Sequence, residues 1–170
     1  MAETQLPEPW LRGTFADVSA VQRAVLHALE LAREDLEKWC WNLSDAELDA
    51  RPSNLAPVAF HIRHISRSID RLLTYAEGKE LSEAQMEALR SELRPGARRE
   101  DLFAELACGL QEAAARVRAF DAKQLEDSRT VGKKRLPTTV GGLLVHIAEH
   151  TSRHLGQAIT TAKIFAASRK

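Results

Sequence analysis

The chain has 170 residues, and its 24 basic and 24 acidic side chains cancel to a formal charge of zero. That length suits a single domain with a sizeable core, and the balanced charge argues against the extended basic surface of a nucleic-acid binder. No window approaches the eighteen or so uninterrupted apolar residues of a membrane span, and the opening residues lack the basic and apolar regions of a signal peptide. Long stretches rich in Ala, Leu, Glu and Arg then follow, with Gly and Pro confined to their ends, which is helical composition. Val18, Val21, Val25, Leu29, Ala32 and Leu36 recur at three- and four-residue spacing and predict a first long helix over 14–41. Ser44-Asp-Ala-Glu47 has the form of a capping box opening a short helical turn.

A second long helix is predicted to enter between Asn54 and Pro57 and to stop before Gly78. Ser82 to about Leu93 reads as a short helix, and Arg94-Pro-Gly96 breaks the chain. A third long helix follows over 99–122, carrying Leu102, Leu106, Leu110, Ala113, Val117 and Phe120 inward. Asp127 to Pro137 is the longest irregular connection, with only weak signs of a hairpin. Thr138 or Thr139 caps a last helix reaching about Phe165. The expected fold class is all-α, a helical bundle formed by residues 1–170 as one domain. Cys40 and Cys108 form no disulfide framework, and their apolar helical contexts predict reduced, buried thiols in a cytoplasmic protein.

Five of the six histidines fall in two clusters: His61 with His64, and His146, His150 and His154. Imidazole is a common ligand for divalent metals and titrates near neutrality. At about 100° per residue, His61 and His64 lie about 60° and 120° from the apolar stripe of the second helix. His150 and His154 lie about 120° and 80° from the stripe of the last helix, on the same flank. Two helices offering histidines on one flank make a metal site a serious reading. His146 falls nearly opposite its stripe and is the weakest ligand candidate, while His27 stands alone. His146-Ile-Ala-Glu-His150 spells an inverted zincin pattern, but Glu149 points away from His150 and the pattern is set aside. No carboxylate is placed convincingly as a general acid or base. Trp39 and Trp41 read as core or interface fillers.

Asn54-Leu-Ala-Pro-Val-Ala-Phe-His61-Ile-Arg-His64-Ile-Ser-Arg-Ser-Ile-Asp70, paired with His150-Thr-Ser-Arg-His154-Leu-Gly-Gln157, resembles the DinB/YfiT-like superfamily. The resemblance implies a four-helix bundle of up-down-down-up connectivity, with a short extra helix in the crossover. It implies one divalent metal ion, nickel or zinc, held by His64, His150 and His154. It also implies a homodimer, and the expected partner is a small-molecule substrate; the balanced charge and the absence of an apolar span argue against nucleic acid and membrane partners. Two positions depart from the family pattern: His61 is a second histidine on the same helix, and Leu155 stands where many relatives have arginine. His61 is left as a neighbour of the ligands or a substitute for one, and Gln157 as a residue able to orient a ligand or bound water. Relatives include enzymes that transfer low-molecular-weight thiols and others described as metal-dependent hydrolases. The expected function is therefore a metal-dependent thiol transferase or hydrolase, with a low-molecular-weight thiol as a candidate cofactor. The alternative is a non-catalytic bundle whose histidine site is structural or vestigial. The loop residues Arg129, Lys133, Lys134 and Arg135 are candidates to recognise an anionic thiol's carboxylates.

Overall fold

A computed structural model describes residues 6–168; the first residues of the opening segment read above for targeting character lie outside it. Its elements are α1 (Ala20–Cys40), α2 (Asp45–Asp49), α3 (Val58–Ala76), α4 (Glu83–Arg90), α5 (Arg99–Arg118), β1 (Ser128–Val131), β2 (Leu136–Thr139) and α6 (Val140–Ser168). The four long helices α1, α3, α5 and α6 form the bundle, and residue pairs between them fix its directions. Trp41 meets Phe103 while Gln22 meets Val117, so α1 and α5 are antiparallel. Arg67 meets Glu105 while Glu77 meets Arg116, so α3 and α5 run the same way. His61 meets His154 and His64 meets His150, so α6 opposes α3. The connectivity is up-down-down-up, and the parallel pair α3 and α5 requires the long crossover that contains α4.

Local chemistry sets the boundaries. Helix α1 begins six residues later than its periodicity suggests, because Ser19 and Gln22 form a reciprocal capping box and Phe15 takes a left-handed φ of 59°. Helix α3 starts at Val58 with Pro57 as its cap, not in its first turn, and it ends in a Schellman motif. There Gly78, at φ 75°, donates to Tyr75 O while Lys79 N donates to Thr74 O. Helix α5 stops at Arg118, four residues short of expectation. The Gln22 amide donates to the carbonyls of Val117 and Phe120 and so terminates α5 from α1. Asp45 Oδ1 accepts from Arg99 N, capping α5 from α2.

The irregular connection is a true hairpin: β1 and β2 pair antiparallel with Val131 opposite Leu136. Pro137 is tolerated because a two-stranded ribbon has only edges. The hairpin delivers the chain into α6, where Thr139 Oγ1 accepts from Gly142 N and the Leu125 carbonyl accepts from Gly141 N.

The core lies along the bundle axis. Val25, Leu36, Ile62, Ile65, Leu106 and Leu144 are among its buried side chains, drawn from all four long helices. Cys40 belongs to it, and burial pushes its thiol pKa up to about 12. Cys108 does not: it is exposed, with its Sγ at 3.5 Å from Glu112 Oε1, because it sits on the face of α5 turned from the core. Trp39 and Trp41 are also half-exposed, lying under the cations of Lys163 and Arg99. No described helix is long and apolar enough to cross a membrane.

Candidate metal centre

Helices α3 and α6 cross so that the flanks bearing their histidines face each other. His64 Nε2 lies 2.8 Å from His150 Nε2, and His61 Nδ1 lies 3.0 Å from His154 Nδ1. One potential ligand atom from each of His64, His150 and His154 lies within 4.8 Å of the other two. The ring of Phe60 stacks on His64 and meets His61 edge-on, both at 5.2 Å.

The residue that sequence reasoning missed is Glu92. It follows α4 in the crossover, is 4% exposed, and accepts from His64 Nδ1 at 2.7 Å and from Arg71 Nη1 at 2.8 Å. Burial alone would raise its pKa, but the bonds from His64 and Arg71 outweigh that and hold the carboxyl below its usual range. The backbone around it is held from α3 as well. Arg63 donates to the carbonyls of Glu92 and Arg94, and Arg67 to the Ala88 carbonyl and Ser91 Oγ. Arg63, Arg67 and Arg71 stand four apart on one face of α3, so three guanidinium groups in a row tie down the crossover. A sequence signal existed: Arg71 follows His64 by two helical turns, and a buried arginine needs a buried acceptor. The partner itself, a lone glutamate beyond a short helix, carries no pattern.

These bonds assign the protons. Glu92, as a carboxylate, can only accept, so His64 Nδ1 is the donor, and in the neutral ring Nε2 then presents a lone pair. His150 Nε2–H then donates to that lone pair, leaving His150 Nδ1 a buried atom without a hydrogen-bond partner. Burial first, and the nearby His154 and His64 second, lower the pKa of His150 to about 4. His154 is lowered to about 4 by burial and then by His64 and Arg153, and His61 to about 4 by burial and then by His154 and His64. Neutral imidazole is the form that binds a metal.

The donor set fits a divalent ion. Imidazoles bound about 2.1 Å from a tetrahedral zinc have nitrogens roughly 3.4 Å apart, a spacing that falls between the 2.8 Å separating His64 Nε2 from His150 Nε2 and the 4.8 Å limit within which all three ligand atoms lie. His150 has an orphaned polar atom, and the Glu92 carboxylate behind His64 is the usual support for a ligating histidine.

Other expected residues fall elsewhere. Gln157 is exposed and makes no hydrogen bond to the histidines, although it lines the same cavity as His61 and His154. His146 bonds Glu149 at 3.3 Å and its ring lies 5.3 Å from that of His150, outside the set of three converging ligand atoms, and His27 lies 3.1 Å from Thr14 Oγ1. Arg129, Lys133 and Arg135 line a separate cavity with Tyr75 and Gly78 at the far end of α3. Tyr75 is eleven residues beyond His64, roughly 16 Å along the helix, so the basic hairpin does not adjoin the histidines.

Among solved structures, the chain is similar to YfiT from Bacillus subtilis, described as a probable metal-dependent hydrolase with an unusual four-helix bundle topology. It superposes with a TM-score of 0.65 at 14% identity, covering 88% of this chain and 90% of that one. At that identity the likeness is one of fold. No curated protein matches the sequence. The family model for the DinB superfamily matches residues 28–158, a span that contains His64, Glu92, His150 and His154. By that match this protein belongs to the DinB superfamily.

Proposed function

We propose that this protein is a divalent-metal-dependent enzyme acting on a small molecule, with hydrolysis as its reaction. The observation that carries this reading is the convergence of His64, His150 and His154, with the buried Glu92 carboxylate bonded to the first of them. Nickel and zinc both suit an imidazole donor set. A three-histidine site leaves coordination positions open, and an ion bound there supplies a water or thiol ligand of lowered pKa.

The chain's own residues prepare the site for that role. Glu92 holds the proton on His64 Nδ1 and keeps Nε2 free. The low pKa values of His150 and His154 keep protons from competing with a metal at neutral pH. His61 meets His154 at Nδ1 and so orients that ring. Phe60 covers His64 and shields it from water on one side. The description of YfiT as a probable metal-dependent hydrolase is consistent with this reading.

The test is metal content in protein purified without an affinity tag, alongside His64→Ala and His150→Ala. About one equivalent of nickel or zinc, lost in both variants, is the expected result. Ester and amide substrates are then screened with and without an added low-molecular-weight thiol, so that turnover requiring the thiol would identify transfer instead. A native protein that takes up neither metal would leave only the non-catalytic bundle.

A further inference from the structure

We infer that the metal centre acts on a small, largely uncharged molecule whose apolar body lies in the cleft between the start of α3 and the second half of α6. This rests on the metal-centre reading above and names the substrate class for it.

A cavity of about 600 Å³ opens beside His61 and His154, within the range that holds small-molecule ligands. Leu55, Ala56 and Phe60 form one wall. Phe60 also touches His61 and His64, so a body lying on its ring is already next to the histidine cluster. The opposite wall includes Gly156, where an added Cβ would meet nothing within 4 Å. The space in front of α6 is therefore open at the position where a side chain would fill it.

Leu55 is 40% exposed at this cleft. It is carried there by a turn in which Ser53 and Asn54 both take left-handed φ values, 52° and 61°. Neither is glycine, so both residues hold a backbone conformation that side chains disfavour. The turn packs on α6, so a strained connection holds an apolar side chain at the mouth of the cavity.

Charge argues the same way. Arg153 is the one lining residue with a permanent charge, and its guanidinium is paired with Glu149. The basic cavity lies at the other end of α3. Besides the two histidines and Arg153, the polar contribution to the cleft comes from Gln157, Thr160 and Thr161, and the Thr160 hydroxyl is already donated to the Gly156 carbonyl. Such a lining favours an apolar body with few polar groups over a multiply charged one.

Alkyl hydroxamates test this, since they pair a metal-binding head with a tail of chosen length. Nickel-loaded protein is titrated calorimetrically with acetohydroxamate, butanohydroxamate and hexanohydroxamate. Full burial of each methylene corresponds to about fourfold in affinity, and an open-sided cleft should yield at least tenfold across the series. In Gly156→Leu the gain with tail length should vanish while acetohydroxamate affinity and nickel content stay unchanged. That variant should fold, because its Cβ enters open space and leucine is the better helix former. Affinity independent of tail length in the native protein, or a length dependence that survives in Gly156→Leu, would overturn the inference alone. A native protein that takes up no nickel would overturn the metal reading and this inference with it.

Discussion

Glu92 joins two demands in one side chain. Its Oε2 accepts from His64 and its Oε1 from Arg71, and all three side chains are largely shielded from water. Glu92→Ala should lower metal affinity by about 10–100-fold, the usual effect of removing a carboxylate behind a ligating histidine. It should also destabilise the fold by about 3 kcal/mol, because Arg71 is left buried without its counter-ion. Adding Arg71→Met should restore most of the stability and none of the affinity, as read by urea unfolding and chelator competition. If both properties recover together, Glu92 acts only through the fold. The metal-free histidines set a second expectation. His61, His150 and His154 stay neutral in the folded protein down to about pH 4, whereas the unfolded chain protonates them near 6.5. Between those values the unfolded state binds more protons, so stability is complete above about pH 7 and is lost as pH falls toward 4. The urea midpoint of chelator-treated protein should drop between pH 7 and pH 5, and a midpoint that stays level would refute the assignment. The histidines were legible in the sequence because helical spacing alone puts them on matching flanks. Glu92 was not, because its position depends on where a crossover settles after α3 and α5 have packed.

At the scale of elements, the long helices were legible from their periodic apolar residues, and the capping box at Ser44 from short-range pattern. What escaped was termination by distant partners. Gln22 ends α5 from across the bundle and Asp45 starts it from α2, and neither pairing leaves a local trace. The hairpin was obscured by polar strands and by Pro137. Close contact between α3 and α5 was equally hidden: at Gly109 an added Cβ would sit 2.0 Å from Ser66 Oγ and 3.2 Å from Ser66 Cβ. Gly109→Ala should therefore cost about 1–2 kcal/mol by overpacking, despite alanine's better helix propensity. Combining it with Ser66→Ala should recover most of the loss in thermal unfolding. A stabilised single variant would show that the two helices separate more easily than their contact implies.

For the whole molecule, the parallel α3 and α5 make a long connection unavoidable, and that connection brings Glu92 to His64. The candidate ligands come from α3 and α6, so a bound ion would join the two helices across the bundle. A ligand that binds only the folded state at a thousandfold excess over its Kd contributes about 4 kcal/mol, or roughly 8–16 °C for a chain of this size. Zinc or nickel should raise the thermal midpoint by about that amount, with EDTA reversing the shift, whereas His64→Ala should show no response. The placement of α6 after the other three bundle helices also has a consequence in time. His150 and His154 leave the ribosome some ninety residues after His64, so a nascent chain stalled before α6 carries only one of the three imidazoles of the cluster. Metal capture would then wait until α6 has been made, and a chain clipped ahead of α6 would lose two of the three candidate ligands together with the helix that closes the bundle.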